Sequence, residues 1–186
     1  MKRFTLRETA LAGVVCVQRQ RMGDARGHLS RLFCDHELRA AGWTLPVAQI
    51  NHTFTAAAGT VRGLHFQHPP HAEAKLVSCL RGEVWDVAVD LRRGSPTFLQ
   101  WHAERLSAEN GAALLIPPGC AHGFQTLTDE VDMLYCHSAA YAPDAEGGLH
   151  PLEPRLAISW PLPVAGLSAR DAAHRAIDDA FQGMLP

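Results

Sequence analysis

Several quickly recognised features are missing from this chain. No apolar run approaches the ~18 residues of a membrane span. Lys2 and Arg3 precede an apolar stretch at 10–17, but Glu8 interrupts the approach and Val15 is a poor residue before a lipoprotein cysteine. No signal peptide is expected. Five cysteines (Cys16, Cys34, Cys79, Cys120, Cys136) are scattered and odd in number, with no C-x-x-C pair. That pattern suits reduced thiols in a cytosolic protein better than a disulfide framework or a zinc site. A net charge of −2 offers no electrostatic case for nucleic acid. Neither a G-x-G-x-x-G nor a Walker loop is present, nor H-E-x-x-H, nor a serine nucleophile elbow.

Helical periodicity is also scarce before residue 168. In its place stand short apolar runs at 47–50, 75–80, 84–89, 112–116, 123–127 and 131–135, broken by Gly, Pro and Asn. Many short strands with such punctuation predict an all-β sandwich or barrel. Along 84–90, Trp85, Val87 and Val89 share one face while Asp86, Ala88 and Asp90 share the other. With 186 residues, 47% apolar and 19% charged, the chain is sized for one globular domain over 1–186, its barrel core at about 44–145. After Trp160-Pro161-Leu162-Pro163, Ser168 is a good N-cap. Residues 170–181 then predict a C-terminal helical arm at about 168–182.

Two glycine-bounded motifs carry the chemistry. In the first, Gly59 is followed after five residues by His65, with Gln67, Lys75 and Gly82 beyond it; the second runs Gly111, Pro117, Pro118, Gly119, His122. They resemble the paired signatures of a cupin-type jelly-roll barrel whose metal ligands are replaced. Gln67 stands at a histidine position and Lys75 at a glutamate position, and an ammonium repels a divalent cation. No metal is expected.

His65, on an inward strand, is compatible with a ligand, a general base or a hydrogen-bonded core residue. Arg62, Lys75 and His122 line the same barrel under this alignment, and converging ionisable groups are costly to bury without a use. Lys75 in a dry pocket would stabilise an oxyanion and bias His65 toward its neutral form. Tyr135 and Tyr141 are the two tyrosines of the chain. Tyr135 ends a predicted strand and reads equally as a general acid or a core aromatic. His68 and His71 lie in a Pro-rich loop and read as surface residues, although a trio with His65 is conceivable as a metal site.

Taken together, the runs at 49–53, 61–67, 75–77, 81–90, 93–98, 106–110, 116–124, 134–135, 141–143 and 160–161 resemble the dTDP-4-dehydrorhamnose 3,5-epimerase family, in one register over about residues 10–175. The resemblance implies a jelly-roll homodimer and a cofactor-free cytoplasmic isomerase acting on a nucleotide-linked 4-keto-6-deoxyhexose. By motif position it implies His65 as base, Asp171 as its carboxylate partner, Tyr135 as acid and Lys75 beside the enolate oxygen, with His122 next to Lys75. Arg62, Gln49, Asn51 and Tyr141 would contact the nucleotide or sugar. The segment around Arg26 would help shape the nucleotide site, partly across the dimer. Substrate-shell positions depart from the pattern: Leu29 replaces an expected phenylalanine, Arg31 a glutamate, and 137–141 reads His-Ser-Ala-Ala-Tyr. A different nucleotide, another deoxysugar or epimerisation at one carbon would each fit these changes. Two readings from other classes are a metal-dependent cupin oxygenase or isomerase and a non-catalytic sugar-nucleotide-binding module.

Overall fold

A computed structural model describes residues 2–185. Its strands are β1 (Phe4–Glu8), β2 (Val15–Arg19), β3 (Arg21–Asp24), β4 (Gly27–Ser30), β5 (Gln49–Thr55), β6 (Val61–Gln67), β7 (Lys75–Arg81), β8 (Glu83–Asp90), β9 (Trp101–Ser107), β10 (Ala112–Ile116), β11 (Cys120–Thr126), β12 (Val131–His137) and β13 (Glu146–Gly148). Two short helices, α1 (Asp35–Leu38) and α2 (Ala169–Ala172), flank them.

Strands β1-β2-β10-β7-β12-β5 form one antiparallel sheet and β13-β6-β11-β8-β9 a second, while β3 and β4 make a separate hairpin. The two large sheets form the expected jelly-roll barrel of cupin type. Because β2 pairs with both β1 and β10, the barrel begins well before residue 44.

The period-2 alternation of strands sorts side chains cleanly. Val77, Cys79, Val84, Ala88, Leu114, Phe124 and Met133 fill the space between the sheets. Leu76, Leu115 and Cys136 face outward from the six-stranded sheet and pack under Leu38, Ala41 and Trp43. On the other side Leu64, Val87, Val89 and Ala121 pack against Leu149, Leu156, Ile177 and Met184. The polar face of β8 is thus the one turned into the barrel, and its apolar face lies under the C-terminal segment.

That segment corrects one expectation. Ser168 caps α2 as its type predicts, its hydroxyl accepting from the Asp171 N–H at 3.0 Å, but the helix lasts one turn and does not continue to 181. Beyond it, the Ile177 N–H donates to Glu153 at 2.8 Å, and the backbone of Met184 pairs with Leu91 and Arg93. Docking of extended chain onto the outer sheet outweighs a weak helix propensity. All five cysteines are free thiols.

Candidate active site

The barrel is filled at one end and hollow at the other. A cavity of about 470 Å³ opens there, with Phe124 and Tyr135 marking the passage from core to cavity. Inward positions of both sheets line it: His65 and Gln67 from β6, His122 from β11, Lys75 from β7, Tyr135 and His137 from β12, and Gln49, Asn51 and Thr53 from β5. Close approach of β6 and β11 depends on glycine. Gly63 has φ +122°, and a Cβ there would lie 2.6 Å from the Gly123 Cα. This contact lets His65 and His122 stand opposite each other across the strand pair.

His65 is joined to Asp171 by a 2.7 Å contact from Nε2 to Oδ1. Asp171 is buried, and it also accepts from the Gly63 N–H at 3.3 Å. Burial works to raise its pKa, but the hydrogen bonds and the charge of His65 outweigh that and hold it low. An ionised carboxylate only accepts, so Nε2 carries the proton and Nδ1 is left bare. Arg170 places Nη2 3.0 Å from the same Nε2. A guanidinium only donates, so the two contacts are alternatives, and the shorter one to a charged acceptor prevails. Burial lowers the pKa of His65 below its ordinary 6.5; Asp171 opposes that, and the charges of Arg170 and Lys75 add to it. The ring is therefore neutral near pH 7.

Tyr135 sits on the facing sheet, buried, its hydroxyl 3.4 Å from Thr53 Oγ1. Burial pushes its phenol pKa well up, so it stays protonated. Lys75 donates to the His65 carbonyl at 3.2 Å and pairs with Glu73 at 3.1 Å. His122 forms a second buried histidine–carboxylate pair, with Asp86 at 2.8 Å, and meets the Tyr135 ring edge-on at 5.9 Å.

At the mouth, Gln49 bonds Asn51 at 3.0 Å, Arg62 bonds Thr55 at 3.0 Å, and the exposed Tyr141 donates its hydroxyl to Glu146 at 3.0 Å. Arg26 is not brought to this cavity. It lies at the tip of the β3–β4 hairpin, bound to Asp24 at 2.6 Å.

The cupin ligand positions are committed elsewhere. Gln67 gives its amide to Glu73 and the His71 carbonyl and accepts from the Ala142 N–H, and the Lys75 ammonium is paired. Among the described residues, the cluster with metal-ligand spacing is His65, Asp171 and His174, not the His65, His68 and His71 trio. His68 instead packs against Phe66 at 5.1 Å.

Sequence reasoning missed Glu73, His137, Glu146 and Arg170, all of which line the cavity. Glu73 precedes Lys75 by two residues in a nearly extended chain, a spacing that shares a face. Burial lowers the pKa of His137 to about 4, and its alternation with Tyr135 along β12 was the available signal.

Comparison with known proteins agrees with this geometry. The family model for dTDP-4-dehydrorhamnose 3,5-epimerase matches residues 8–179. A dTDP-4-dehydrorhamnose 3,5-epimerase of Sinorhizobium fredii is 40% identical over 166 residues, 89% of this chain and 85% of that protein. A dTDP-4-dehydrorhamnose 3-epimerase of Streptomyces niveus is 39% identical over 183 residues, 97% of this chain and 88% of that protein. The crystal structure of dTDP-6-deoxy-D-glucose-3,5-epimerase from Legionella pneumophila, in complex with dTDP-4-keto-L-rhamnose, superposes with a TM-score of 0.90 at 37% identity, covering 97% of this chain and 98% of that one. A match of this extent over a barrel with these inward residues places the chain in the dTDP-4-dehydrorhamnose 3,5-epimerase family.

Proposed function

We propose that this chain epimerises a dTDP-linked 4-keto-6-deoxyhexose at C3, C5 or both, most directly dTDP-4-dehydro-6-deoxyglucose to dTDP-4-dehydrorhamnose. The observation that carries the reading is the origin of the two proton-handling groups. His65 comes from one sheet and Tyr135 from the other, and both line one cavity. Inversion at carbon needs a proton removed from one face and returned to the opposite one.

The C4 ketone acidifies the hydrogens at C3 and C5. His65 Nδ1 takes one of them, and Asp171 steadies the imidazolium that forms. Negative charge gathers on O4, where the Lys75 ammonium stabilises it in a site with little water, with His122 alongside. Tyr135 delivers a proton to the other face. These steps need no cofactor and leave no place for a metal in the cycle. Arg62, Gln49, Asn51 and Tyr141 hold the nucleotide diphosphate or sugar at the mouth.

The protein works as a homodimer, in which Arg26 and its hairpin reach the partner's nucleotide site. The enzyme acts in the cytoplasm. Five free thiols support that location, and no helix among the described residues is long and apolar enough to cross a membrane.

Relatives named for one carbon or for two are similar at 39% and 40% identity, so identity does not choose between them. Proton NMR of dTDP-4-keto-6-deoxyglucose with the enzyme in deuterated buffer does. Loss of both the C3 and C5 signals with product formation marks a double epimerase, and loss of one marks a single-centre enzyme. Retention of both signals rejects the proposal.

A further inference from the structure

The dyad carboxylate has a neighbour that the proposed proton transfers do not use. His174 lies three residues past Asp171, and its Nε2 stands 3.9 Å from Asp171 Oδ1. That nitrogen is buried and has no hydrogen-bond partner among the described residues. Its ring meets the His65 ring edge-on, with centroids 6.2 Å apart. Gly148 makes room for it, since a Cβ at that position would collide with the imidazole. The ligand atoms of His65, Asp171 and His174 all lie within 4.8 Å of one another. Two imidazoles and a buried carboxylate therefore converge where His65 and Asp171 line the cavity, with His174 behind them, and one of the three side chains has no task in the reaction.

We propose that this trio is a binding site for a borderline divalent cation, zinc above all, and that filling it switches the His65–Asp171 dyad off. Two imidazole nitrogens and one carboxylate oxygen form the protein donor set of open zinc sites, whereas magnesium and calcium want oxygen. Bond lengths of about 2.0–2.2 Å set tetrahedral donors roughly 3.3–3.6 Å apart. The observed 2.7 Å and 3.9 Å separations from Asp171 straddle that span, so small side-chain rotations complete the site.

Arg170 is the competitor. Its guanidinium lies 3.0 Å from His65 Nε2 and 3.6 Å from Asp171 Oδ1, but the side chain is more than half exposed and is already bound to Glu146 at 3.2 Å. It has both the freedom and an anchor to swing aside.

The block follows from the tautomer. A cation on Nε2 takes that nitrogen's lone pair and leaves the ring proton on Nδ1, the atom that must accept a proton from the sugar. The binding half of this proposal stands without the epimerase reading, and the inhibition half rests on it.

Calorimetric titration of zinc chloride into chelator-stripped protein tests the binding. One site per chain is expected, with magnesium chloride giving no heat. His174→Ala should weaken zinc at least tenfold, by loss of one ligand. Gly148→Ala, which keeps all three donors but displaces the ring, should weaken it similarly. Arg170→Gln should tighten it severalfold. In the deuterium-exchange assay, zinc should stop exchange by the wild type, a chelator should restore it, and His174→Ala should exchange at a near-normal rate that zinc leaves intact. Equal zinc affinity in wild type, His174→Ala and Gly148→Ala overturns the site, as does an absence of binding to the wild type. Zinc held at this site with exchange unimpaired overturns the block. Binding lost in the variants, with no exchange in any sample, upholds the cation site and removes the epimerase reading instead.

Discussion

His65 is poised by opposing influences. Burial drives its pKa below 6.5 and Asp171 pulls it back up, so the ring is neutral yet able to carry charge briefly. The proposed base works when neutral, so exchange of the sugar protons should be level near pH 7 and fall on the acid side, with a midpoint below 6.5. In Asp171→Asn the upward pull is gone, so that midpoint moves further down. The rate should drop by roughly 10²–10⁴-fold, because the amide no longer fixes the tautomer. A midpoint that rises, or a rate that holds, in the NMR pH profile would contradict the dyad. Tyr135 supplies a second residue-scale test. With its phenol protonated throughout the working range, Tyr135→Phe should retain wash-in of deuterium by His65 but lose inversion, and an equal loss of both would remove the division of labour. His65, Lys75 and Tyr135 were legible because each sits in a short motif with a readable alternation. Asp171 lies 106 residues from His65, and no local pattern links them. Resemblance alone suggested the pair, and α2 brings it together.

At the scale of elements, β8 shows what a pattern reveals and what it leaves open. Its alternation of polar and apolar faces was plain in the sequence, but which face turned inward depended on the C-terminal segment covering the other. That segment was misread as a helix because its Ala, Asp and Arg content is helix-compatible, while its backbone partners, Glu153 and Leu91, are remote in sequence. Strands β1 and β9 lack a clean apolar run and were missed for the same kind of reason, while the apolar stretch at 10–17 that leads into β2 reads in the sequence only as a candidate leader segment. Where β8 ends, Asp90 organises the crossing to β9. Its carboxylate accepts from Arg92 at 2.8 Å and from the Ser95 and Thr97 hydroxyls at 2.6 Å each. Burial opposes ionisation, but these bonds prevail and hold the pKa at about 2, against an ordinary 3.8. Such a depressed pKa contributes about 2 kcal/mol of stability above the ordinary value, lost as pH falls through the folded one. Urea unfolding should therefore show wild type losing about 1 kcal/mol more than Asp90→Asn between pH 5 and pH 3. Parallel losses in the two proteins would mean that the turn does not depend on this charge.

The whole molecule leaves one face unfinished. The outer side of the six-stranded sheet is covered by Leu38, Ala41 and Trp43 over β2, β10 and β7, yet Ile50 and Phe54 on β5 remain 60% and 49% exposed, with Leu80 at 39%. Strand β5 is also the sheet's edge, paired only with β12 among the described residues. An exposed edge with apolar side chains invites pairing with another chain. A second copy related by a two-fold axis would present the same strip in return. The β3–β4 hairpin is exposed along its length, with Leu29 at 68%, and a dimer gives it something to lie against. The proposed homodimer thus accounts for two surfaces that the monomer leaves unexplained, and it would give the Arg26 hairpin a neighbouring cavity to reach. Sedimentation velocity should give a dimer at micromolar concentration for the wild type. Ile50→Glu with Phe54→Glu should give a folded monomer, because two carboxylates cannot be buried face to face without partners. If the Arg26 hairpin serves the neighbouring site, that monomer should also bind dTDP more weakly while its circular dichroism stays unchanged. A wild type that sediments as a monomer, or a double variant that stays dimeric, would place the interface elsewhere or remove it.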